Sequence, residues 1–526
     1  MPKILVLDNL SQEGIDVFEK APGFEVDVKA PQKPDELAAI IGDYDGLVIR
    51  SATKVTAEAL ANPGKLKVIG RAGVGTDNID KTVATNAGIV VMNTPGGNTI
   101  STCEHTFALL FGLCRNIPAA HASMDAGRWD RKKFMGSEVC GKTLGIVGVG
   151  RIGGAVAKRA QAFEMKIIAF DPVLTQLKAD ALGIELVSID ELAERSDFIT
   201  IHVPKTPETE NMFNAERFKM MKDTACIINC ARGGIVNEAD LAEALKNGDI
   251  AGAGLDVYTS EPFEDNPFIG LDNIVTTPHL AASTGEAQLT VAIDVAEQII
   301  EYLDTGAINN AVNVPSLDSE TREKMGPLLH LGQQLGKFQA LYTEGRPTGL
   351  EIEYSGELDV TDTYPITASI LMGFLEPTTD SVNMVSAPSL LKDHGISVTE
   401  TRTPDDQDFG FQIKVSITTD TEKTTISGTL FEGNAPRIVT IEGTRMDAVP
   451  EGCLLVCINE DMPNVLGHIT TIIGEAQVNI ANLTLGRDEL GGRALTLVNL
   501  DSPLSEDTLN AIRGTEHVKQ VRQVQL

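Results

Sequence analysis

Nowhere in the chain does an apolar run approach the roughly 18 residues of a membrane-crossing helix, so no span is expected. The opening Met1-Pro-Lys-Ile-Leu-Val-Leu-Asp8 reads as a strand and lacks the apolar core of a secretion signal, which makes a cytoplasmic location the expectation. Positive charge is scarce: 43 Lys and Arg stand against 74 Asp and Glu, a net charge of −31. That excludes nucleic acid or an anionic membrane as a general partner, and it obliges any anionic substrate to find a local basic pocket. Cysteine is sparse and odd in number. Cys103, Cys114, Cys140, Cys226, Cys230, Cys453 and Cys457 are scattered, mostly in apolar runs, with no paired C-x-x-C. Neither a zinc site nor a disulfide framework follows, so no metal is expected and the thiols read as free in a reducing compartment.

What is present is ordinary globular composition, 42% hydrophobic and 22% charged, in a chain of 526 residues, long enough for three or four domains. Its organising stretch is Leu144-Gly-Ile-Val-Gly-Val-Gly-Arg-Ile-Gly-Gly154. Gly148, Gly150 and Gly153 have the spacing G-x-G-x-x-G. The first permits a tight turn, the second lets a pyrophosphate approach the backbone, and the third lets helix and strand pack closely. Leu144, Ile146 and Val147 supply a strand before the turn. Ile152, Ala155, Val156, Ala160 and Phe163 supply a helical period after it, whose free N–H groups face the phosphates. The next strand, Lys166–Asp171, ends in an acid about 20 residues downstream, where an acid meets the ribose hydroxyls of a dinucleotide.

The rest of the chain falls around this unit. Residues 1 to about 98 alternate strands (Ile4–Leu7, Phe24–Val28, Leu47–Arg50, Val68–Arg71, Ile89–Met92) with helix starts at Ser11, Pro34 and Thr56, which predicts a small doubly wound α/β unit. A long helix from about Thr99 to Cys114 leads into a second such unit, with further strands at Phe198–Val203, Cys226–Cys230, Ala251–Val257 and Ile274–Thr277. Gly285 to Leu303 is a long amphipathic helix. Residues 316–450 predict a helix through Leu328, Leu331, Leu335 and Phe338, then strands at Leu350–Tyr354, Phe411–Ile417 and Thr424–Leu430. Val449–Gly452 reads as a linker, and the remaining residues run β-α-β-β-α-β, a ferredoxin-like order.

In open parallel sheets ligands bind beyond the carboxyl ends of the strands. Three residues sit there with chemistry to offer: Arg232 in Asn229-Cys-Ala-Arg-Gly-Gly234, Glu261 before Pro262, and His279 in Thr277-Pro-His-Leu280. A histidine can exchange a proton near neutral pH, a carboxylate beside it orients the ring, and an arginine grips a carboxylate with two bonds. Together with a nicotinamide cofactor these are the parts for hydride transfer at a 2-hydroxy or 2-oxo acid. Arg50, Lys54 and Arg71, at strand ends of the first unit, are candidates for a phosphate on that acid. Arg131, Lys132 and Lys133 beside Trp129 form a further basic cluster that a neighbouring subunit could lend, or a solvated turn.

With these motifs the chain resembles the D-isomer-specific 2-hydroxyacid dehydrogenases, and within them the long branch that acts on 3-phosphoglycerate. Gly148–Gly153, Cys230–Gly234, Leu255–Tyr258 with Glu261-Pro262, Pro278–Thr284, Arg50–Lys54 and Gly70–Gly75 carry the likeness, which extends over essentially the whole length. It implies a substrate domain (1–98 plus 285–315), a Rossmann-like NAD domain (99–284), an intervening domain (316–450) and a ferredoxin-like ACT domain (451–526). It implies Arg232, Glu261 and His279 as catalytic, with His279 as acid/base. It places Gly148, Gly150, Arg151, Ile152, Gly153, Asp171, Val203, Cys230, Ala231, Asp256, Ala281 and Ala282 against NAD. Arg50, Val74 and Gly75, with Arg232 and His279, would hold 3-phosphoglycerate. Asn459, Asp461 and Asn479 would hold L-serine as an effector, although the ACT pattern's Pro-Gly is Pro463-Asn464 here. A homodimer or homotetramer is implied. A glycerate, formate or D-lactate dehydrogenase, or a non-catalytic NAD-sensing corepressor, shares the core; the two hundred or so extra residues and their folded pattern weigh against both.

Overall fold

In a computed structural model the chain is described over residues 1–526 except 359, 361, 380–381, 405–408 and 432–433. The described residues form four sheets. The first is five-stranded and parallel, in the spatial order Glu25–Val28, Lys3–Val6, Gly46–Ile49, Val68–Arg71, Val90–Asn93. Its inner strands are uninterrupted apolar runs such as Ile4-Leu-Val6 and Leu47-Val-Ile49, all fully buried, as a sheet covered on both faces requires. One face is covered by the helix Gly285–Thr305, whose Ala292, Val295, Ala296 and Ile299 pack on Ile4, Val6, Val48 and Val68. Gly70 makes that approach possible: a Cβ there would meet Val295 at 2.5 Å.

The second sheet is seven-stranded and parallel. Its spatial order is Ile274–Thr276, Gly252–Leu255, Cys226–Asn229, Phe198–Ile201, Thr143–Val147, Lys166–Phe170, Glu185–Leu186. The order reverses between Thr143–Val147 and Phe198–Ile201, which makes the space beyond those strand ends the ligand crevice. The helix Thr99–Cys114 runs between the two parallel units. The third sheet mixes Pro347–Gly356 and its parallel neighbour Ser397–Thr403 with four antiparallel strands, Phe411–Thr419, Lys423–Phe431, Ala435–Ile441 and Thr444–Ala448. The fourth is the antiparallel sheet of the βαββαβ module, ordered Ile480–Arg487, Arg493–Leu500, Cys453–Glu460, Val518–Gln525. The fold class read from the sequence is the one observed.

Several local expectations are corrected. The segment opened by Thr56 is a single turn, closed by the Leu60 N–H on the Thr56 carbonyl at 3.1 Å; Asn62-Pro63 stops it, since the residue before proline is pushed out of the helical region. Ser11 precedes the helix Gln12–Lys20, but its hydroxyl makes no cap bond. Unforeseen were the helix Ile117–Asp125, separated from its predecessor by Asn116 in the left-handed region at φ 52°, and the helix Tyr364–Leu375. The latter is apolar all round and buried on every side, so it has no amphipathic period to detect.

Tyr364–Leu375 crosses the long helix Ser319–Tyr342 at two glycines. A Cβ on Gly336 would lie 2.0 Å from the Ile370 carbonyl oxygen, and one on Gly373 would lie 2.0 Å from that of Gln333. Both obstacles are backbone and cannot rotate away. Gly336→Ala should therefore destabilise the C-terminal half by about 1–3 kcal/mol, the scale of overpacking, seen as a lower midpoint in thermal unfolding; an unchanged midpoint would contradict the crossing.

Candidate active site

The crevice between the two parallel units opens into a cavity of about 380 Å³. Val74, Gly75 and Asp77 line it from the first unit; Ile152, His202, Val203, Cys230, Ala231, Arg232, His279, Ala281 and Ala282 line it from the second. Most of the residues expected to hold cofactor and substrate thus meet in one place.

The glycine turn is built for a dinucleotide. Gly148 has φ +89°, and a Cβ on Gly153 would lie 2.0 Å from the Gly148 carbonyl oxygen, so neither position tolerates a side chain. A Cβ on Gly150 would meet nothing within 4 Å; the space above it is open to a ligand. The helix Arg151–Ala162 starts at Gly150 with no side-chain cap, which leaves its N–H groups for phosphate oxygens. Asp171 ties the turn to the neighbouring strand end: Oδ2 accepts from the Val149 N–H at 2.8 Å, and Oδ1 accepts from Val173 and Leu174 at 2.9 and 3.0 Å. Oδ2 keeps one lone pair with which to accept from a ribose hydroxyl. Cys230 is buried, and burial pushes its thiol up to about 12, so it lines the cavity as a neutral group.

His279 Nδ1 lies 2.7 Å from Glu261 Oε2, while Glu261 Oε1 accepts from the Tyr258 N–H at 3.1 Å. Burial pushes the Glu261 carboxyl up, but the bonds from His279 and Tyr258 outweigh it and hold the group below the usual carboxylate value. A charged carboxylate can only accept, so Nδ1 carries a proton and Nε2 is left for a substrate. His279 itself has φ +56°, a region a histidine rarely occupies. Asp256 imposes it. Its backbone carbonyl accepts from the His279 N–H at 2.9 Å, and its carboxylate accepts from the Leu280 and Ala281 N–H groups at 2.7 and 2.8 Å and from the Thr277 hydroxyl at 2.6 Å. His105 Nε2 approaches it at 3.2 Å. Asp256 was expected against NAD. It is fully buried and absent from the cavity wall; its carboxylate is occupied by the loop that carries His279.

Arg232 donates through Nε to Asp77 at 2.8 Å and through Nη1 to the Ala231 carbonyl at 2.7 Å. Arg71 lies close to it and to Arg50. Burial first, and then those two like charges, push the Arg71 guanidinium down to about 10, still charged at neutral pH. Its Nε is buried with no hydrogen-bond partner. Its Nη1 donates to the Ala72 carbonyl at 3.2 Å, and a partly buried cation with a spare donor beside two other cations suits an anion. Arg50 does not line the main cavity; its backbone N–H is held by Asp8 at 2.9 Å and its carbonyl by Asn78 at 2.8 Å.

The sequence reading missed Asp77, Lys81 and His105. Asp77 stands two residues past Gly75 and was within reach of the strand-end rule. His202 closes the crevice with Nδ1 buried and unpartnered, and burial pushes its imidazole down to about 3, so it is neutral. The residues expected to hold an effector are a different matter. Asn459 is buried and donates to the Glu460 carbonyl at 2.8 Å, Asp461 accepts from Arg487 at 2.9 Å and from the Gly491 N–H at 3.2 Å, and Asn479 donates to Asp501 at 2.8 Å. The side chains of all three are engaged within the module. Asn464 sits at φ +70°, which explains why glycine is usual there.

Fold and site together define an NAD-dependent dehydrogenase of the D-2-hydroxyacid type. Residues 107–281 match the family described as D-isomer specific 2-hydroxyacid dehydrogenase, NAD binding domain, and residues 324–442 match the D-3-phosphoglycerate dehydrogenase intervening domain. The D-3-phosphoglycerate dehydrogenases of Methanocaldococcus jannaschii and Archaeoglobus fulgidus are 42% and 41% identical to this chain, each alignment covering 100% of both proteins; that of Bacillus subtilis is 38% identical with the same coverage. Among solved structures, the D-lactate dehydrogenase of Aquifex aeolicus complexed with NAD and lactic acid superposes with a TM-score of 0.54 at 28% identity, covering 60% of this chain and 100% of its own. The chain belongs to the D-3-phosphoglycerate dehydrogenase family.

The Asp256 network yields a prediction. Asp256→Asn would replace one acceptor with an NH₂ group facing backbone N–H donors, so at least one buried group loses its partner, at about 1–3 kcal/mol. Turnover should fall with it, because the His279 loop loses its anchor, while assays of NAD binding should change less. Wild-type turnover in Asp256→Asn would show that the loop holds itself.

Proposed function

We propose that the chain oxidises D-3-phosphoglycerate to 3-phosphohydroxypyruvate with NAD as hydride acceptor, the opening reaction of phosphorylated L-serine synthesis, as a cytoplasmic homodimer or homotetramer. The observation that carries this reading is the His279–Glu261 pair, whose His279 lines one cavity together with Arg232, with the partly buried Arg71 beside Arg232.

Bound NAD supplies the acceptor for the hydride leaving C2. His279 Nε2 takes the C2 hydroxyl proton, and Glu261 stabilises the imidazolium that results. Arg232 holds the substrate carboxylate and polarises the forming carbonyl. Arg71, with Arg50 beside it, supplies the positive field a phosphate needs in a chain of net charge −31. Asp171 favours NAD over its 2′-phosphorylated form, since a carboxylate there repels a second anion.

Support for a homo-oligomer comes from the surface after Ile117–Asp125. Trp129 is 75% and Met135 is 84% exposed, with the basic residues Arg131, Lys132 and Lys133 between them. Large exposed apolar side chains grouped in this way suit a second copy, and the basic residues would then reach a partner's substrate. The βαββαβ module supports L-serine as a regulator; Asp461 and Asn479 would exchange their present partners for it.

NADH formation from D-3-phosphoglycerate, with and without L-serine, tests the reading. His279→Ala should lower turnover by roughly 100-fold or more, on the scale of general acid–base catalysis, with NAD affinity little changed. Near-wild-type turnover would remove His279 from its role, and an unaltered rate with millimolar L-serine would remove the regulatory part alone. Arg71→Gln should raise the Michaelis constant for D-3-phosphoglycerate roughly tenfold, the scale of a charged hydrogen bond, and that for D-glycerate less. Equal effects on both would place Arg71 at the carboxylate.

A further inference from the structure

The pair Arg232–Asp77 joins residues 155 positions apart in the chain, one on each side of the crevice. Stability is not its purpose: the side chains are 30% and 70% exposed, and pairs so exposed contribute little. Its surroundings are nonetheless stiff. The Gly73 N–H donates to the Thr94 hydroxyl at 2.7 Å, Asn93 Nδ2 donates to the Val74 carbonyl at 2.6 Å, and Asn78 Nδ2 bridges the Arg50 and Thr53 carbonyls at 2.8 and 2.7 Å. The loop that presents Asp77 is thus fastened at three points. Burial raises the Asp77 carboxyl, but Arg232 and then Lys81 bring it below the usual aspartate value. It stays charged at neutral pH.

The guanidinium of Arg232 is fixed on three sides. Nη1 is bound to Ala231 and Nε to Asp77, and Nη2 lies so close to Gly75 that a Cβ there would be 1.8 Å away. Nη2 is the nitrogen left without a protein acceptor among the described residues. Arg71 meanwhile repels Arg232 from below. Without a counter-charge on Nε, a side chain with four rotatable bonds beside another cation has no reason to keep this direction.

Building on the function proposed above, we infer that Asp77 is a positioning residue: it reaches across the crevice, holds Arg232 through Nε, and so aims Nη2 at the substrate carboxylate. Asp77 takes no part in the proton or hydride transfer. Its effect is therefore on substrate binding more than on the rate of the bound complex.

The experiment is steady-state kinetics of the full-length enzyme with NAD and D-3-phosphoglycerate, comparing wild type, Asp77→Ala, Asp77→Asn, Arg232→Ala and the double variant Asp77→Ala/Arg232→Ala. Asp77→Ala should raise the Michaelis constant for the acid roughly tenfold or more, the scale of a charged hydrogen bond, with a smaller fall in kcat and no change in NAD affinity. Asp77→Asn, which keeps the acceptor and loses the charge, should fall between. In the Arg232→Ala background the Asp77→Ala change should add nothing, as required of two groups acting as a unit. Additive effects would overturn the inference. So would a lowered Michaelis constant in Asp77→Ala, which would make Asp77 a competitor in the carboxylate's own place. An inactive wild type would remove the function proposed above and the role of Asp77 with it; an active wild type with an unaffected Asp77→Ala would remove the role of Asp77 alone.

Discussion

The buried carboxylate of Asp256 is the constraint on which the site depends. It ends the strand Gly252–Leu255 and holds the His279 loop by side chain and main chain together. Helix Thr99–Cys114 reaches the same carboxylate through His105. Three pieces of the chain therefore converge on one acceptor: a strand end, the acid/base loop, and the helix between the two sheets. A histidine at φ +56° persists because its neighbours over-determine it. Burial raises the Asp256 carboxyl, and the bonds from His105, Thr277, Leu280 and Ala281 lower it further than burial lifts it. A depressed carboxyl contributes stability above the unfolded value and loses it only as pH falls through the lower folded value. The anchor is thus constant across neutral pH, where imidazoles titrate.

Much of the catalytic half was legible because its constraints are local. G-x-G-x-x-G has at its first and last glycines positions where a Cβ would collide with backbone, and uninterrupted apolar runs announce strands buried on both faces. The three chemical residues follow from the rule that ligands meet strand ends. What escaped was set by contacts distant in sequence. Asp77 matters because residue 232 comes to it, and His105 because residue 256 does. Asp256 itself looked like a ligand residue, since a strand-end acid can face the crevice or turn inward, and only the packed structure decides. In the third sheet, Ser397–Thr403 is exposed at every position, so no alternation marks it as a strand.

The expected linker Val449–Gly452 joins two units that do not behave as separate bodies. Leu454, Val456, Leu495, Leu497 and Val524 of the βαββαβ module share one apolar core with Leu331, Leu335 and Phe338 of the long helix. Arg522 reinforces the joint, with Nη1 and Nη2 at 3.0 and 3.2 Å from the Glu422 carboxylate and its guanidinium over the Tyr342 ring at 4.8 Å. Burial and paired charge at the same seam make relative rotation of these two units expensive.

The C-terminal half also touches the first parallel unit at two places. It meets the substrate side at the root of the long helix, where Ser319 donates to Glu301, and beside the short helix Lys81–Asn86. There Asn383 donates to the Gly88 carbonyl at 2.8 Å and Ser389 to Asn86. Gly88 sits at φ +73°, and a Cβ on it would lie 2.4 Å from Asn383, so the fit is close. The same six-residue helix starts four residues after Asp77, and its Lys81 lines the cavity. One end lines the cavity and the other meets the C-terminal half. Two ligands couple only through an element that both of them bias. The helix Lys81–Asn86 is thus an element that touches both the cavity and the C-terminal half, through Lys81 at one end and Asn86 at the other.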